Sequence, residues 1–119
     1  MNDQKQNDWA FDMVQRLVEF GDDCAEKEGA AKLLEDSKHS VLAKLKLRFV
    51  SEEKSDAARE TKARATDDFN DYLKELSAAK EAAAKARVRY DAQDMFCRLR
   101  QTQYSMKKAK MNAEQQLSA

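Results

Sequence analysis

The feature that most constrains the fold is the segment from Thr66 to Met111, which contains neither glycine nor proline. Within it, an apolar or small residue returns at every seventh position. A repeat of this kind places one stripe along a continuous α-helix and is typical of coiled-coil packing. We therefore predict a helix over about residues 66–111. Its seam consists of Phe69, Leu76, Ala83, Tyr90, Cys97, Tyr104 and Met111.

The composition of the chain favours helices throughout. Its 119 residues include no proline, two glycines and 37% charged residues. The β-branched residues never alternate with polar ones over a run, and this pattern excludes a turn-rich β fold. We predict an elongated all-α protein that forms a single domain, with two shorter N-terminal helices, the long C-terminal helix and coiled-coil-like packing.

The length of the predicted C-terminal helix raises the question of what covers it. At the usual rise per residue, a helix over 66–111 is roughly 70 Å long. A compact domain of this chain length is much shorter across. The helix must therefore fold back on itself or be buried by partner subunits. We favour the second alternative and predict a homo-oligomer whose subunits meet at the seam from Phe69 to Tyr104.

The N-terminal half predicts two helices joined by an acidic connector. An apolar stripe at steps of three and four follows Asp8, a suitable N-cap, and continues to Gly21 or just beyond. Gly29 marks a turn or a weak point, and a second stripe predicts a helix from Ala30 to Val50. Residues 51–65 hold almost nothing large to bury, which predicts a linker or a short exposed helix. The three parts of the domain are then residues 1–50, 51–65 and 66–112.

The formal net charge is zero, but the charges are unevenly distributed. Residues 1–36 hold ten acids and four bases, whereas residues 85–110 hold eight bases and two acids. Cations along a helix can bind the phosphates of a polyanion, and single-stranded bases can stack on tyrosine rings. The alternative is a solvated face that only keeps the helix soluble. The candidate nucleic-acid-binding residues are Lys85, Arg87, Arg89, Tyr90, Arg98, Arg100, Lys107 and Lys108.

No constellation in the sequence predicts catalysis or metal binding. The chain lacks a glycine-rich phosphate loop, and its single histidine, His39, has no cysteine or carboxylate at ligand spacing. We therefore predict that the protein is not an enzyme and needs no cofactor or metal, and that His39 is exposed on a helix. Cys24 and Cys97 lie on apolar helix faces and are expected to be reduced, buried thiols.

The polar N-terminal residues lack the charged-then-apolar pattern of a signal peptide. No apolar run approaches the length that spans a membrane. We therefore expect a cytoplasmic protein with no membrane partner.

Within the basic segment, Ala84–Tyr90 resembles the Leu-Lys-Ala-Arg-Leu-Asp-Tyr motif of phage recombination mediators of the UvsY type. Val88 replaces a leucine conservatively, whereas Arg89 stands where the family has an acid, and Ala84 replaces another leucine. The positions that agree are Lys85, Ala86, Arg87 and Tyr90.

That resemblance implies a function. Members of the family are small helical proteins that form rings, bind single-stranded DNA and help to load a RecA-like recombinase onto strands covered by single-strand-binding protein. It implies that Lys85 and Arg87 contact DNA phosphates, that Arg89 adds a cation, and that the protein acts in a phage-infected or prophage-bearing bacterial host. The alternative hypothesis is a helical interaction or scaffold module, or a phage-encoded inhibitor, with no nucleic-acid role.

Overall fold

The computed structural model describes the backbone of residues 2–118 and the side chains of residues 8–118. Within this part of the chain the regular elements are α-helices and one short 3-10 turn, and no residue lies in a β-strand. The predictions of an all-α chain and of a long C-terminal helix are confirmed. The elements are α1 (Asn2–Asp36), α2 (Lys38–Lys46), the 3-10 turn Leu47–Phe49, α3 (Asp56–Arg64) and α4 (Asp67–Ser118).

Helix α1 is continuous across both glycines, so the predicted end near Gly21 is wrong. Of the two alternatives at Gly29, a turn is excluded, and the residue lies inside a longer helix. Helix α1 also begins before Asp8, which is therefore not its N-cap. No described residue has a positive φ, the glycines included. A glycine inside a helix costs about 1 kcal/mol relative to alanine, and the 35 residues of α1 tolerate two such positions.

The interruption after α1 falls at Ser37. The backbone N–H of this serine is shared between the carbonyl oxygens of Leu33, at 3.1 Å, and Leu34, at 3.2 Å. Its hydroxyl also donates to the Leu33 carbonyl at 2.7 Å, and a serine that bonds back to residue i−4 often bends a helix. The helix predicted over residues 30–50 is therefore divided into the end of α1, helix α2 and the 3-10 turn.

The segment over residues 51–65 contains helix α3, and this helix is packed against the core, contrary to the prediction of an exposed segment. The Ser55 hydroxyl caps it by accepting a hydrogen bond from the Ala58 N–H at 3.3 Å. Ala63 is 0% exposed and belongs to the same cluster as Leu42 of α2. Because a methyl group allows close approach, α3 packs well without a large apolar residue.

Helix α4 begins as the sequence predicted. The Phe69 N–H donates to the Thr66 hydroxyl at 3.2 Å, and Asp67 and Asp68 occupy the first turn, where the helix dipole favours acids. The helix continues to Ser118, beyond its predicted end near residue 111. The added residues include no glycine or proline that would stop it.

The internal contacts of the chain divide it into two compact units. Unit 1 comprises Met1–Asp23 and Arg87–Ala119, and unit 2 comprises Cys24–Ala86. Each unit therefore contains one part of α1 and one part of α4, and unit 2 also contains α2 and α3.

Unit 2 holds a hydrophobic core in which α1 and α4 are also joined by polar contacts. The Tyr72 hydroxyl of α4 donates a hydrogen bond to the carbonyl oxygen of Leu34 in α1. Lys80 and Glu35 form an ion pair between the same helices at 3.4 Å. The buried core consists of Leu42, Leu45, Ala63, Phe69, Tyr72 and Leu76, with Leu34, Val41 and Phe49 packed against it.

In unit 2, the predicted oligomer seam is covered by residues of its own chain. Phe69, Leu76 and Ala83 are all buried within the single chain. We predicted that partner subunits bury these three positions, and that prediction is wrong. The length of a helix does not reveal that another helix of the same chain, here α1, contacts it.

In unit 1, the seam is covered only in part. Tyr90 and Cys97 are half-buried and contact α1. Tyr104 is 60% exposed, and Met111 is also exposed. The chain's own α1 thus covers the seam as far as Cys97 and leaves its last two positions open.

The remaining side chains of interest lie largely where the sequence places them. The side chain of Cys24 in unit 2 is buried, and that of Cys97 in unit 1 is half-buried. His39 is exposed on α2, as predicted. Among the described residues, no helix has the length and apolar character needed to cross a membrane.

Candidate nucleic-acid interface

All eight candidate binding residues belong to α4, so their relative positions follow from helical geometry. Lys85 lies in unit 2, whereas the other seven lie in unit 1. Residues separated by three, four or seven positions share a face, because the helix makes one turn in about 3.6 residues. Their distribution around the helix and their ion pairs divide them into separate groups.

Arg87 and Arg98 form one group, because each makes an ion pair with an acid four positions away on the same helix. Arg87 lies 3.9 Å from Asp91, and Arg98 lies 3.2 Å from Asp94. Exposed i, i+4 pairs of this kind stabilise a helix by about 0.3–0.5 kcal/mol. The charges of Arg87 and Arg98 are therefore partly neutralised by Asp91 and Asp94, although each ion pair is weak.

Lys85 also has an acidic partner. Its ammonium group lies 3.1 Å from Glu81 in unit 2, and both side chains are largely exposed. The two residues that the family resemblance singles out as phosphate contacts, Lys85 and Arg87, are therefore both engaged in surface ion pairs.

Arg89, Arg100 and Lys107 form a second group on one face of α4 in unit 1. Arg100 follows Arg89 by eleven positions, and Lys107 follows Arg100 by seven. Phe96 lies between Arg89 and Arg100, seven positions after Arg89. Arg89 and Lys107 make no ion pair with any residue that the structure describes. This surface, which we call the cationic face, consists of Arg89, Phe96, Arg100, Gln103, Lys107 and Lys110.

The guanidinium group of Arg100 lies over the ring of Trp9 in α1, 4.4 Å from the ring centroid. Both residues belong to unit 1. A guanidinium held on an aromatic face is restrained in position while its in-plane N–H donors stay available for a phosphate. Trp9 therefore orients one cation of the face. Trp9 is not among the predicted binding residues, because no local sequence pattern signals a contact between distant parts of the chain.

Phe96 is the aromatic side chain of the cationic face, and it is 47% exposed. Phe96 is not among the binding residues that the sequence predicted. Its position seven residues after Arg89 and four before Arg100 was the signal that could have placed it among the cations. An exposed ring between cations is what base stacking on a single strand requires.

The two candidate tyrosines differ in their surroundings. The ring of Tyr90 packs against Gly21 of α1, so that a Cβ atom built at position 21 would lie 3.0 Å from its Cε2 atom. Arg87 lies over the same ring at 5.8 Å. Tyr90 is therefore placed by packing, whereas Tyr104 is largely exposed. Lys108 is exposed next to Lys107 but about 100° further round the helix.

Unit 1 also contains polar contacts that hold α1 and α4 together beside this face. The Gln93 amide donates to the Met13 carbonyl oxygen at 3.3 Å, and the Cys97 thiol lies 3.9 Å from the same oxygen. Within the described residues, no three histidine, cysteine or acidic side chains are grouped so that they could hold a metal ion. The cationic face therefore presents cationic and aromatic side chains to a ligand.

Comparisons with known proteins add no relative to this description. The chain matches no family model, no curated protein and no solved structure.

Proposed function

We propose that the protein binds single-stranded DNA through the cationic face of α4 in unit 1. The observation that carries the proposal is the placement of Arg89, Arg100 and Lys107 on one helix face, with Phe96 exposed between them. No acid lies on that face between positions 89 and 110. Phosphates gain from such a row because each neutralised charge releases counterions.

The proposed binding mode assigns a role to each kind of side chain. Arg89 and Lys107 contact phosphates directly, because no described residue neutralises them. Arg100 contributes a third cation that Trp9 already restrains, which lowers the entropy cost of binding. Phe96 stacks on a base, which favours single strands over duplexes, whose bases are already stacked.

A narrower form of the proposal is that the protein acts as a recombination mediator. In this role it would bind single-stranded DNA and assist a RecA-like recombinase in displacing single-strand-binding protein. The support for this step is the resemblance of Ala84–Tyr90 to the UvsY-type motif. DNA binding by the cationic face does not depend on it.

The test is fluorescence anisotropy of labelled single-stranded and duplex DNA at several salt concentrations. We expect the wild type to prefer the single strand, with affinity that falls steeply as salt rises. The variant Arg89→Gln/Lys107→Gln should weaken binding and reduce the slope of log K against log salt by about 0.7 for each phosphate that is no longer neutralised.

The matched control is Lys32→Gln/Lys74→Gln, which removes the same charge from exposed positions of unit 2. It should bind nearly as well as the wild type. If the two double variants lose affinity equally, only net charge matters and the cationic face is not the site. No binding by the wild type at low salt overturns the proposal.

The second candidate function is a protein-interaction or scaffold module. The observation that favours it is the number of large apolar side chains that unit 1 leaves exposed. On α4 these include Val88, Met95, Leu99 and Met106. A chain that binds no DNA but forms specific assemblies through these residues would fit this alternative.

A further inference from the structure

Helix α4 of unit 1 has an apolar stripe on the side away from α1. Val88, Met95, Leu99 and Met106 follow one another at steps of seven, four and seven, so they share one face. Each of these side chains is more than half exposed. We call this surface the α4 outer stripe.

The position of the α4 outer stripe follows from the residues that α1 covers. Val88 precedes Tyr90 by two positions, and Met95 precedes Cys97 by two. Two residues correspond to roughly 200° around a helix. Since Tyr90 and Cys97 contact α1, the stripe lies on the opposite side of α4.

Helix α1 of unit 1 has a similar stripe of its own. Phe11, Val14 and Val18 are spaced by three and four positions, and each is more than half exposed. Phe11 precedes Met13 by two positions, and Met13 is buried and contacts Gln93 of α4 through its carbonyl oxygen. Phe11 therefore lies on the side of α1 away from α4, whereas Val14 and Val18 lie at the exposed edge of the face that carries Gly21. We call these three exposed residues the α1 outer stripe.

The two outer stripes are bordered by charges of opposite sign. On α1, exposed acids border the stripe, and they make no ion pair with any residue that the structure describes. On α4, Arg89, Lys107 and Lys110 border the stripe on one side. Residues 8–23 carry five acids and one base, whereas residues 87–118 carry seven bases and three acids. The bordering acids of α1 are Asp8, Asp12, Glu19 and Asp22.

We propose that the partner of these stripes is a second copy of the same chain, with the α1 outer stripe of one copy packed on the α4 outer stripe of the next. This contact covers apolar side chains and brings acids opposite cations. A contact between two α4 stripes would place Arg89 and Lys107 near the same cations of the other copy. A contact between two α1 stripes would bring acids together, and like charges disfavour both arrangements.

The acids of α4 do not alter this choice. Asp91 and Asp94 lie beside the α4 outer stripe, but each is paired with an arginine of its own helix. The border of the stripe that remains available to a neighbour is therefore cationic.

Because each copy carries both stripes, the contact is heterologous and can be repeated. Such contacts produce closed rings or open filaments, according to the rotation between neighbours. On α4, the proposed assembly uses the surface opposite the seam, which α1 of the same chain covers as far as Cys97. It does not depend on DNA binding, although Arg89 and Lys107, which belong to the cationic face, also border the α4 outer stripe.

The test uses the full chain and two blocked variants, measured by analytical ultracentrifugation. Val14→Asn/Val18→Asn blocks the α1 outer stripe, and Val88→Asn/Leu99→Asn blocks the α4 outer stripe. The wild type should form an assembly of several chains, each of 13.6 kDa, and should not be a monomer. Each variant alone should be monomeric. An equal mixture should form a one-to-one dimer, because the first variant keeps an intact α4 outer stripe and the second keeps an intact α1 outer stripe.

Three outcomes would overturn the proposal. A monomeric wild type means that something other than a second copy covers the stripes. Variants that still self-associate mean that assembly uses another surface. Variants that lose assembly but do not combine when mixed exclude the α1-on-α4 contact.

Two further measurements exclude trivial explanations. Circular dichroism should show that both variants keep the helix content of the wild type, because the substituted side chains are exposed. Both variants also keep Arg89, Arg100 and Lys107, so DNA binding at low salt tests the cationic face separately. Failure of assembly and failure of the proposed function are therefore distinguishable.

Discussion

Gly21 of α1 lies so close to the ring of Tyr90 in α4 that a Cβ atom at position 21 would be 3.0 Å from the Cε2 atom of that ring. Real Cβ atoms almost never come closer, so an added methyl group would force the ring to move. Gly29, in the same helix, has nothing within 4 Å of the corresponding point. Gly21 therefore provides space for the packed ring of Tyr90, whereas Gly29 does not accommodate a neighbouring side chain.

We expect Gly21→Ala to lower the free energy of unfolding by about 1 kcal/mol, because the cost of overpacking exceeds the gain in helix propensity. In a Tyr90→Ala background, the same substitution should raise it by about 1 kcal/mol, since the ring is gone. Urea denaturation of the four proteins gives the coupling energy between the two positions.

Gly29→Ala is the matched control, and it should stabilise the wild type by about 1 kcal/mol. If Gly21→Ala stabilises the wild type as much as Gly29→Ala does, the close approach of Gly21 and Tyr90 does not constrain the fold.

The hydrogen bond from the Tyr72 hydroxyl to the Leu34 carbonyl oxygen connects α4 and α1 within unit 2. Tyr72→Phe removes the donor and leaves the ring, so we expect a loss of about 1 kcal/mol in the free energy of unfolding. Tyr104→Phe makes the same chemical change at an exposed position and should have almost no effect. Equal losses for the two variants would contradict a role for this hydrogen bond.

Ala63 is buried completely, where α3 meets the core of unit 2. Ala63→Leu should therefore destabilise the protein by about 1–3 kcal/mol through overpacking. Ala57→Leu places the same side chain on an exposed position of α3, and its effect should stay within about 0.5 kcal/mol. Thermal denaturation of both variants checks the difference. Tolerance of leucine at position 63 would show that α3 is loosely attached.

The sequence predicted those features that depend on local signals. The absence of proline and of strand patterns predicted an all-helical chain, and the seven-residue repeat from Phe69 predicted the long helix α4. The end of α1 was missed because Ser37 resembles any exposed helical serine until its bonds to Leu33 are seen. Local composition cannot distinguish a glycine that ends a helix from one that accommodates a neighbouring ring.

The candidate site was predicted only in part, because some of its contacts have no local signal in the sequence. The basic character of α4 can be read directly, but the pairing of Arg87 and Arg98 with acids required the side-chain positions. The contact of Arg100 with Trp9 joins residues near opposite ends of the chain, and a single sequence has no signal for such a pair. Phe96 was absent from the predicted binding residues, because its exposure is known only from the structure.

Lys62 of α3 gives the stability of unit 2 a dependence on pH. Its ammonium group lies 3.0 Å from Glu53 and 3.3 Å from Glu52. The hydrogen bond to Glu53, then that to Glu52, raises the pKa of Lys62 above its ordinary value of 10.5, although desolvation opposes the shift. A raised pKa in the folded state means that the stabilisation is present below the unfolded pKa and is lost as pH rises through the folded one.

We therefore expect Lys62→Gln to be less stable than the wild type at neutral pH, with a difference that shrinks above about pH 10.5. Urea denaturation of both proteins across this range measures the difference, and other titrating groups cancel in the comparison. A difference that stays constant through the alkaline range would show that the ion pairs of Lys62 do not contribute.

The contact between Arg100 and Trp9 predicts that two substitutions will weaken DNA binding in different ways. Arg100→Gln removes a cation, so both the affinity and the slope of log K against log salt should fall, the slope by about 0.7. Trp9→Leu keeps the cation but removes the ring that restrains it at 4.4 Å. The affinity should fall, whereas the slope should stay the same, because the number of neutralised phosphates is unchanged.

Anisotropy titrations over a range of salt concentrations separate the two effects. Arg48→Gln is a suitable control, because Arg48 is a cation of unit 2 that is engaged with Asp68 at 2.6 Å and lies off the cationic face. If Trp9→Leu changes the slope as much as Arg100→Gln does, the ring does more than orient the guanidinium group. If neither variant alters binding, Arg100 does not contact DNA, and the proposed interface is reduced to Arg89 and Lys107.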